Sequence, residues 1–287
     1  MPEKSMVANG ISYNAAISAC EKGGRWQLAL SLLGQMPEMK LRADEISYNA
    51  AMSACEKPGY WQLALCLLSR MTETKLLPSR ISCNAAISAC EKGCEWQRAL
   101  CLLRRIHEMS AVPNEISYSA SISACGKCGE WQLALVLLDE MPKAGARPNE
   151  ISFSAAISAC EKAGRWQLSL GLLMAMGVRR LLPDEINYNA AVSACEKGGQ
   201  WQSAMSLLLQ MRSARLIPAR TGFNSAMLSC ASCSQWQSML SLLREMLRQV
   251  LEPDQISLGT LLPEAEQRGH LADEGSLVER LGTLRGG

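Results

Sequence analysis

The stretch ISYNAAISACEKGGRWQLALSLL, Ile11 to Leu33, decides how the rest of the chain is read. Near-copies begin at Ile46, Ile81, Ile116, Ile151, Ile186 and, more loosely, Thr221, a constant step of 35 residues without an insertion. Self-similarity at a fixed period marks a repeat architecture in which each copy is one small structural unit. With the residue before each of these positions taken as position 1, seven complete units run 10–44, 45–79, 80–114, 115–149, 150–184, 185–219 and 220–254. The skewed composition follows: all seven Trp share one place in the unit, as do seven of the 13 Cys, in a chain of 287 residues with two Phe and two His.

Within a unit, positions 2 to 13 set apolar or small residues at helical spacing, as in Ile46, Ala50, Ala51, Ala54 and Cys55. A break follows at positions 14 and 15, usually Gly (Gly23 and Gly24, Gly198 and Gly199). A second helix then opens on Trp and continues to a Met at position 27, as in Trp201 to Met211. Pro at position 34 (Pro78, Pro113, Pro148, Pro183, Pro218, Pro253) stops anything helical before the next unit begins. Such a helix hairpin cannot bury its own apolar faces, so neighbours must stack. The expected fold is all-α, a right-handed α-solenoid of stacked helix-turn-helix hairpins. Small residues crowd the first helix, so these helices can approach closely and line the inner side, where a ligand long enough to touch several units would lie.

Bulk numbers exclude several classes. With 48% apolar and 20% charged residues the chain is neither disordered nor collagenous, and no stretch reaches the roughly 18 to 20 consecutive apolar residues of a bilayer-spanning helix. The net charge of +2 gives no independent reason to expect nucleic acid. Thirteen Cys is too sparse for a small disulfide scaffold, and a reducing compartment is expected. The ends carry expectations too. Residues 1–9 align without a gap on Met36 to Asp44, the tail of a unit, so the chain reads as the downstream piece of a longer array or of a truncated gene model. Gln255, Ile256 and Ser257 start an eighth unit, but Pro263 falls mid-helix and Leu271 holds the Trp place, so 255–287 reads as a degenerate cap.

A 35-residue hairpin with Tyr-Asn near its start, Gly-Gly between helices, Trp and Ala-Leu in the second helix and Pro-Asp at its end resembles the pentatricopeptide repeat family, over residues 1 to about 262. The tetratricopeptide repeat differs, with a period of 34 and its Trp in the first helix. The resemblance implies binding of single-stranded RNA, one base per repeat read by two or three side chains. It implies that positions 5 and 35 contact the base edge: Asn14 with Asp44, Asn49 with Ser79, Asn84 with Asn114, Ser119 with Asn149, Ser154 with Asp184, Asn189 with Ala219, and Asn224 with Asp254. The family's pairings then imply U, C, C or U, A, G, an unassigned base and U, a 5′-UCYAGNU-3′ core. Ile11, Ile46, Ile81, Ile116, Ile151, Ile186 and Thr221, at position 2, would sandwich neighbouring bases.

Each column also has a plainer reading. Asp, Asn and Ser before a helix are preferred N-caps, which accounts for position 35 except at Ala219. Position 5 is harder to dismiss, because Asn or Ser inside a helix is worse than Ala by up to roughly 0.7 kcal/mol. Lys22, Lys57, Lys92, Lys127, Lys162 and Lys197, at position 13, could contact phosphate or could favour the C-terminus of the first helix, and a Glu precedes five of the six. The Cys column reads as packing; Cys125 with Cys128 and Cys230 with Cys233 form C-x-x-C pairs without a nearby His, so no metal site is expected. Trp reads as core on the second helix.

His107 and His270 are the only His, and neither begins the H-x-E of a zinc deaminase. The expectation is therefore a non-catalytic, sequence-selective binder of single-stranded RNA of about seven nucleotides, monomeric, without cofactor or membrane association, with other RNA-processing proteins as further partners. The alternative is a protein-binding solenoid of the tetratricopeptide kind. The resemblance implies a chloroplast location, with mitochondria as the alternative.

Overall fold

A computed structural model describes residues 9–109, 112–249, 251–257 and 259. The tail at 1–8 and the cap beyond 259, with Pro263, His270 and Leu271, lie outside the described residues. Among those described there is helix and turn but no strand. The first helices of the units are α1 (Gly10–Lys22), α3 (Glu45–Glu56), α5 (Arg80–Lys92), α7 (Glu115–Cys128), α9 (Glu150–Lys162), α11 (Glu185–Lys197) and α13 (Arg220–Ser232). Each is followed by a partner that starts at the Trp: α2 (Trp26–Glu38), α4 (Trp61–Glu73), α6 (Trp96–Glu108), α8 (Trp131–Lys143), α10 (Trp166–Val178), α12 (Trp201–Ser213) and α14 (Trp236–Arg248). Gln255, Ile256 and Ser257 are again helical.

The described residues form two compact bodies, divided between Ala159 and Cys160. In the first, α1 packs on α3, α3 on α5 and α5 on α7, while α2, α4 and α6 each fill the angle between two first helices. In the second, α11 packs on α13, with α10 and α12 against α11 and α14 against α13. The cores of both bodies use the same register. Position 8 (Ile17, Met52, Ile87, Ile122, Ile157, Val192, Met227), the Cys of position 11 and the apolar residue of position 27 (Met36, Met71, Ile106, Met141, Met176, Met211, Met246) are buried in every unit. Burial pushes the thiols of Cys55, Cys90, Cys160, Cys195 and Cys230 up to about 11 and that of Cys125 to about 12, so these sulfurs act as small apolar groups.

Backbone chemistry sets the length of each helix. Asn9, Asp44, Ser79, Asn114 and Asp184 are extended N-cap residues whose side chains accept the backbone N–H three residues on. Ala219 stands in the same place and offers no side-chain cap. Each first helix ends on a left-handed residue at position 15, which is Gly at 24, 59, 129, 164 and 199 but Cys94 and Ser234 in two units. There the next amide turns back to the position 11 carbonyl, as in Arg25 N–H to Cys20 O at 2.9 Å. The second helix runs two residues beyond the position 27 Met that the sequence pattern marked as its end, through Pro37 in α2 and Pro142 in α8. It closes with the same kind of turn, Leu41 N–H to Met36 O at 2.8 Å, on a left-handed Lys40. The Trp packs onto position 14 of the next unit: a Cβ on Gly93 would collide with the indole of Trp61, and one on Gly198 with that of Trp166.

Candidate nucleic-acid interface

The first helices leave one regular feature uncovered. Ile11, Ile46, Ile81, Ile116, Ile151 and Ile186 are between 58% and 78% exposed, and Thr221 is exposed in the seventh unit. Burying an Ile stabilises a fold by roughly 1.5 to 3 kcal/mol, yet the same apolar side chain is left in water in six units. Positions 2 and 5 are three residues apart and so project from one side of a helix. Each of these exposed residues therefore stands beside the polar residue of position 5, which is half-buried in five units and buried at Ser119 and Asn224.

In four units that polar residue is tied to position 35. The Asn14 Nδ2 donates to both carboxylate oxygens of Asp44 at 3.1 Å, and Asn224 Nδ2 to those of Asp254 at 3.1 and 2.9 Å. Asn84 Nδ2 donates to Asn114 Oδ1 at 3.2 Å, and Ser119 Oγ to Asn149 Oδ1 at 3.3 Å. Asn49 instead donates to Glu45 Oε1 at 3.4 Å, and the Ser154 hydroxyl turns into its own helix to Glu150 O at 2.7 Å. Asp184 caps α11. Asn189 has a buried Oδ1 without a hydrogen-bond partner, and the position 35 residue of its unit is Ala219, which has no polar side chain. In these four units position 35 is thus both helix cap and hydrogen-bond partner of position 5.

Electrostatics keep the acids charged. Burial pushes the Asp44 carboxyl up, but the Ser47 N–H, the Ser47 hydroxyl and the Asn14 amide outweigh it and hold it below its ordinary 3.8. Burial likewise raises Asp254, against donation from the Ser257 N–H, Asn224 amide and Ser257 hydroxyl, with the same net lowering. A pair such as Asn14 with Asp44 consequently presents one spare amide hydrogen next to a carboxylate acceptor.

The lysine column lies at the other end of the first helix, about 12 Å from position 5 at 1.5 Å per residue. Lys92 pairs with Glu56 at 3.0 Å, Lys127 with Glu91 at 2.9 Å and Lys197 with Glu161 at 2.6 Å. Lys57 reaches the carbonyls of Glu21 and Lys22 at 3.1 and 3.2 Å. These four cations sit at the C-terminus of the preceding first helix, where its dipole favours them. Lys22 ends α1, with no described helix before it, and Lys162 ends α9.

One participant escaped the sequence reading. The buried Ser at position 3 of the following unit donates to the position 5 amide oxygen, from Ser47 to Asn14 and from Ser82 to Asn49 at 2.6 Å each. Its recurrence at 12, 47, 82, 117, 152 and 257 was the available signal.

Comparison with known proteins follows the same register. Models of the PPR repeat family match residues 113–162, the PPR repeat 11–41, 151–181 and 186–216, and the pentatricopeptide repeat domain 42–93, together more than half of the chain. No curated protein matches the sequence. Among solved structures, the pentatricopeptide repeat protein PPR10 from maize superposes with a TM-score of 0.66 at 23% identity, covering 91% of this chain and 37% of that one. PPR10 in complex with an 18-nt psaJ RNA element gives 0.62 at 19%, covering 98% of this chain and 46% of that one. The PPR domain of Arabidopsis thaliana protein-only RNase P 1 in complex with tRNA gives 0.57 at 12%, over 63% and 95%. The chain thus spans less than half the length of PPR10, and at these identities the likeness concerns the fold. On the repeat matches and the helix pairs together, the chain belongs to the pentatricopeptide repeat family.

Proposed function

We propose that this chain binds single-stranded RNA of about seven nucleotides, one base to a unit, without catalysing a reaction. The observation that carries the reading is the column of exposed Ile residues standing beside a column of hydrogen-bonding side chains. A nucleobase has flat apolar faces and a polar edge, so the Ile of adjacent units covers the faces while positions 5 and 35 meet the edge. Helix caps account for position 35 but leave both the exposed Ile and the position 5 amides unexplained.

Edge chemistry supports the assignment of bases. Asn14 with Asp44, and Asn224 with Asp254, offer a donor beside an acceptor, which suits the carbonyl and N3–H of uracil; the N3 of cytosine accepts and would face the carboxylate unfavourably. Asn49 with Ser79 has a hydroxyl in place of a carboxylate at position 35, which suits cytosine. Ser119 and Ser154 leave more room than Asn, in keeping with purines. Because Lys57, Lys92, Lys127 and Lys197 spend their charge on the preceding helix, phosphate attraction is given the smaller part in binding.

The resemblance to maize PPR10, whose structure with an 18-nt psaJ RNA element is known, supports the ligand class. We place the target among organellar transcripts, in the chloroplast before the mitochondrion. The test is affinity for 5′-UCYAGNU-3′ against a scrambled heptamer: preference for the first supports the reading, and equal affinity removes it.

A further inference from the structure

Four of the five position 5 asparagines receive a hydrogen bond that neither capping nor base pairing demands. Ser47, Ser82, Ser117 and Ser257, each 0% exposed, donate at 2.6 Å to Oδ1 of Asn14, Asn49, Asn84 and Asn224. Each hydroxyl already accepts the N–H of the cap residue before it, at 3.2 to 3.4 Å, and has a single proton to give. That proton has two acceptors in reach, the asparagine Oδ1 at 2.6 Å and, for Ser47, Ser117 and Ser257, a position 35 oxygen at 2.8 to 3.0 Å, and the shorter contact sets which way the amide points. With Oδ1 held by the serine, Nδ2 is directed to position 35 and its neighbourhood. Rotating the Asn14 amide by half a turn would set Oδ1 against the Asp44 carboxylate, acceptor against acceptor, and would leave the Ser47 hydroxyl only Asp44 Oδ1, at 2.8 Å, as a target for its proton.

The fifth asparagine lacks this support. Asn189 faces Gly222 where the others face a serine, and its Oδ1 lies 2.5 Å from the place a Cβ would occupy, so the amide fills the missing side chain's space. That oxygen is buried without a partner, and Ala219 supplies no acceptor for Nδ2. Neither of the two side chains that orient Asn14 has a counterpart here.

We propose that the position 3 serine is a specificity-positioning residue acting across the unit boundary: it fixes the preceding asparagine so that its donor faces the base, and unit 185–219, without it, discriminates bases least. The proposal rests on the RNA-binding reading above. A structural contribution of the serine alone would weaken binding to all bases alike; orientation control changes the ratio between them.

The experiment therefore measures dissociation constants of the intact protein for heptamers that vary only at the first or only at the sixth base. Wild-type protein is expected to prefer U first and to show a nearly flat profile sixth. In Ser47→Ala the first-base preference falls roughly 3- to 10-fold, the worth of one hydrogen bond, with the other positions unchanged. In Gly222→Ser the sixth-base profile steepens by a similar factor, a gain of function that does not depend on Ser47→Ala folding. Unchanged ratios in both variants overturn the proposal, and so does a uniform loss of affinity in Ser47→Ala with a flat Gly222→Ser profile. Wild-type protein that binds none of the heptamers removes the RNA reading itself, an outcome separate from RNA bound with ratios the variants leave intact.

Discussion

Units 10–44 and 185–219 carry the same asparagine at the same place, with an exposed Ile three residues before each, Ile11 at 78% and Ile186 at 71%. Their surroundings differ at two residues. Asn14 has Asp44 as acceptor and Ser47 as donor, whereas Asn189 has Ala219 and Gly222. A reading residue is therefore defined less by its own identity than by what the chain supplies about thirty residues later. Amide orientation is a property of the network around it, and only one of these two networks is complete.

The comparison can be broken first at the feature the two units share. Ile11→Ala and Ile186→Ala should each weaken RNA binding by roughly five- to tenfold, given ~0.8 kcal/mol per buried methylene and partial covering by a base. Because both side chains are exposed, urea unfolding should move by no more than about 0.5 kcal/mol. A large difference in affinity loss between the two variants would mean that the units differ in base stacking as well as in edge recognition.

A second pair of variants exchanges the caps. Asp44→Ala should cost about 1 kcal/mol of stability and Ala219→Asp should add about as much, since the one removes and the other creates an N-cap acceptor at the start of a first helix. Chemical denaturation followed by helical circular dichroism reads both. Failure of Ala219→Asp to stabilise would show that the cap place at 219 is not equivalent to that at 44.

The smallest effect is in pH. The folded carboxyl of Asp44 lies below its ordinary value. The stability this confers is present above the unfolded pKa of about 3.9 and is lost as pH falls through the lower folded value. Asp44→Asn keeps a good cap but has no such titration, so the gap in denaturation midpoint between wild type and this variant should narrow below about pH 4 and stay constant from there to neutrality. A gap that holds at low pH would mean that the Asp44 network does not depend on charge.

Much of this was legible in the sequence for definite reasons. The helix starts at Glu45, Glu115 and Glu185 follow from the cap residues Asp44, Asn114 and Asp184, and the missing cap at Ala219 was visible as an exception. The Cys column was readable as packing because a small residue recurs on the apolar face. The end of the second helix was hard to read where the left-handed closing residue is Lys40, Lys75, Arg180 or Arg215, which give no local sign of a turn, whereas α8 closes on Gly145. The lysines' bonds to the preceding helix, and above all the Ser47 to Asn14 contact 33 residues apart, need neighbouring units in place before they can be seen. That Gly222 faces the Asn189 amide likewise shows only with the two units packed together.

The hydrogen bond across the boundary also bears on how such arrays change over generations. Tandem copies grow and shrink by unequal exchange between one copy and the next. An exchange point between position 35 of one copy and position 3 of the following one joins an asparagine and its position 35 partner to a foreign serine, glycine or asparagine. Where the incoming residue is Ser the recombinant reads as its parent did. Where it derives from the lineage of Gly222, a single crossover alters how a base is met while leaving both familiar reading positions untouched.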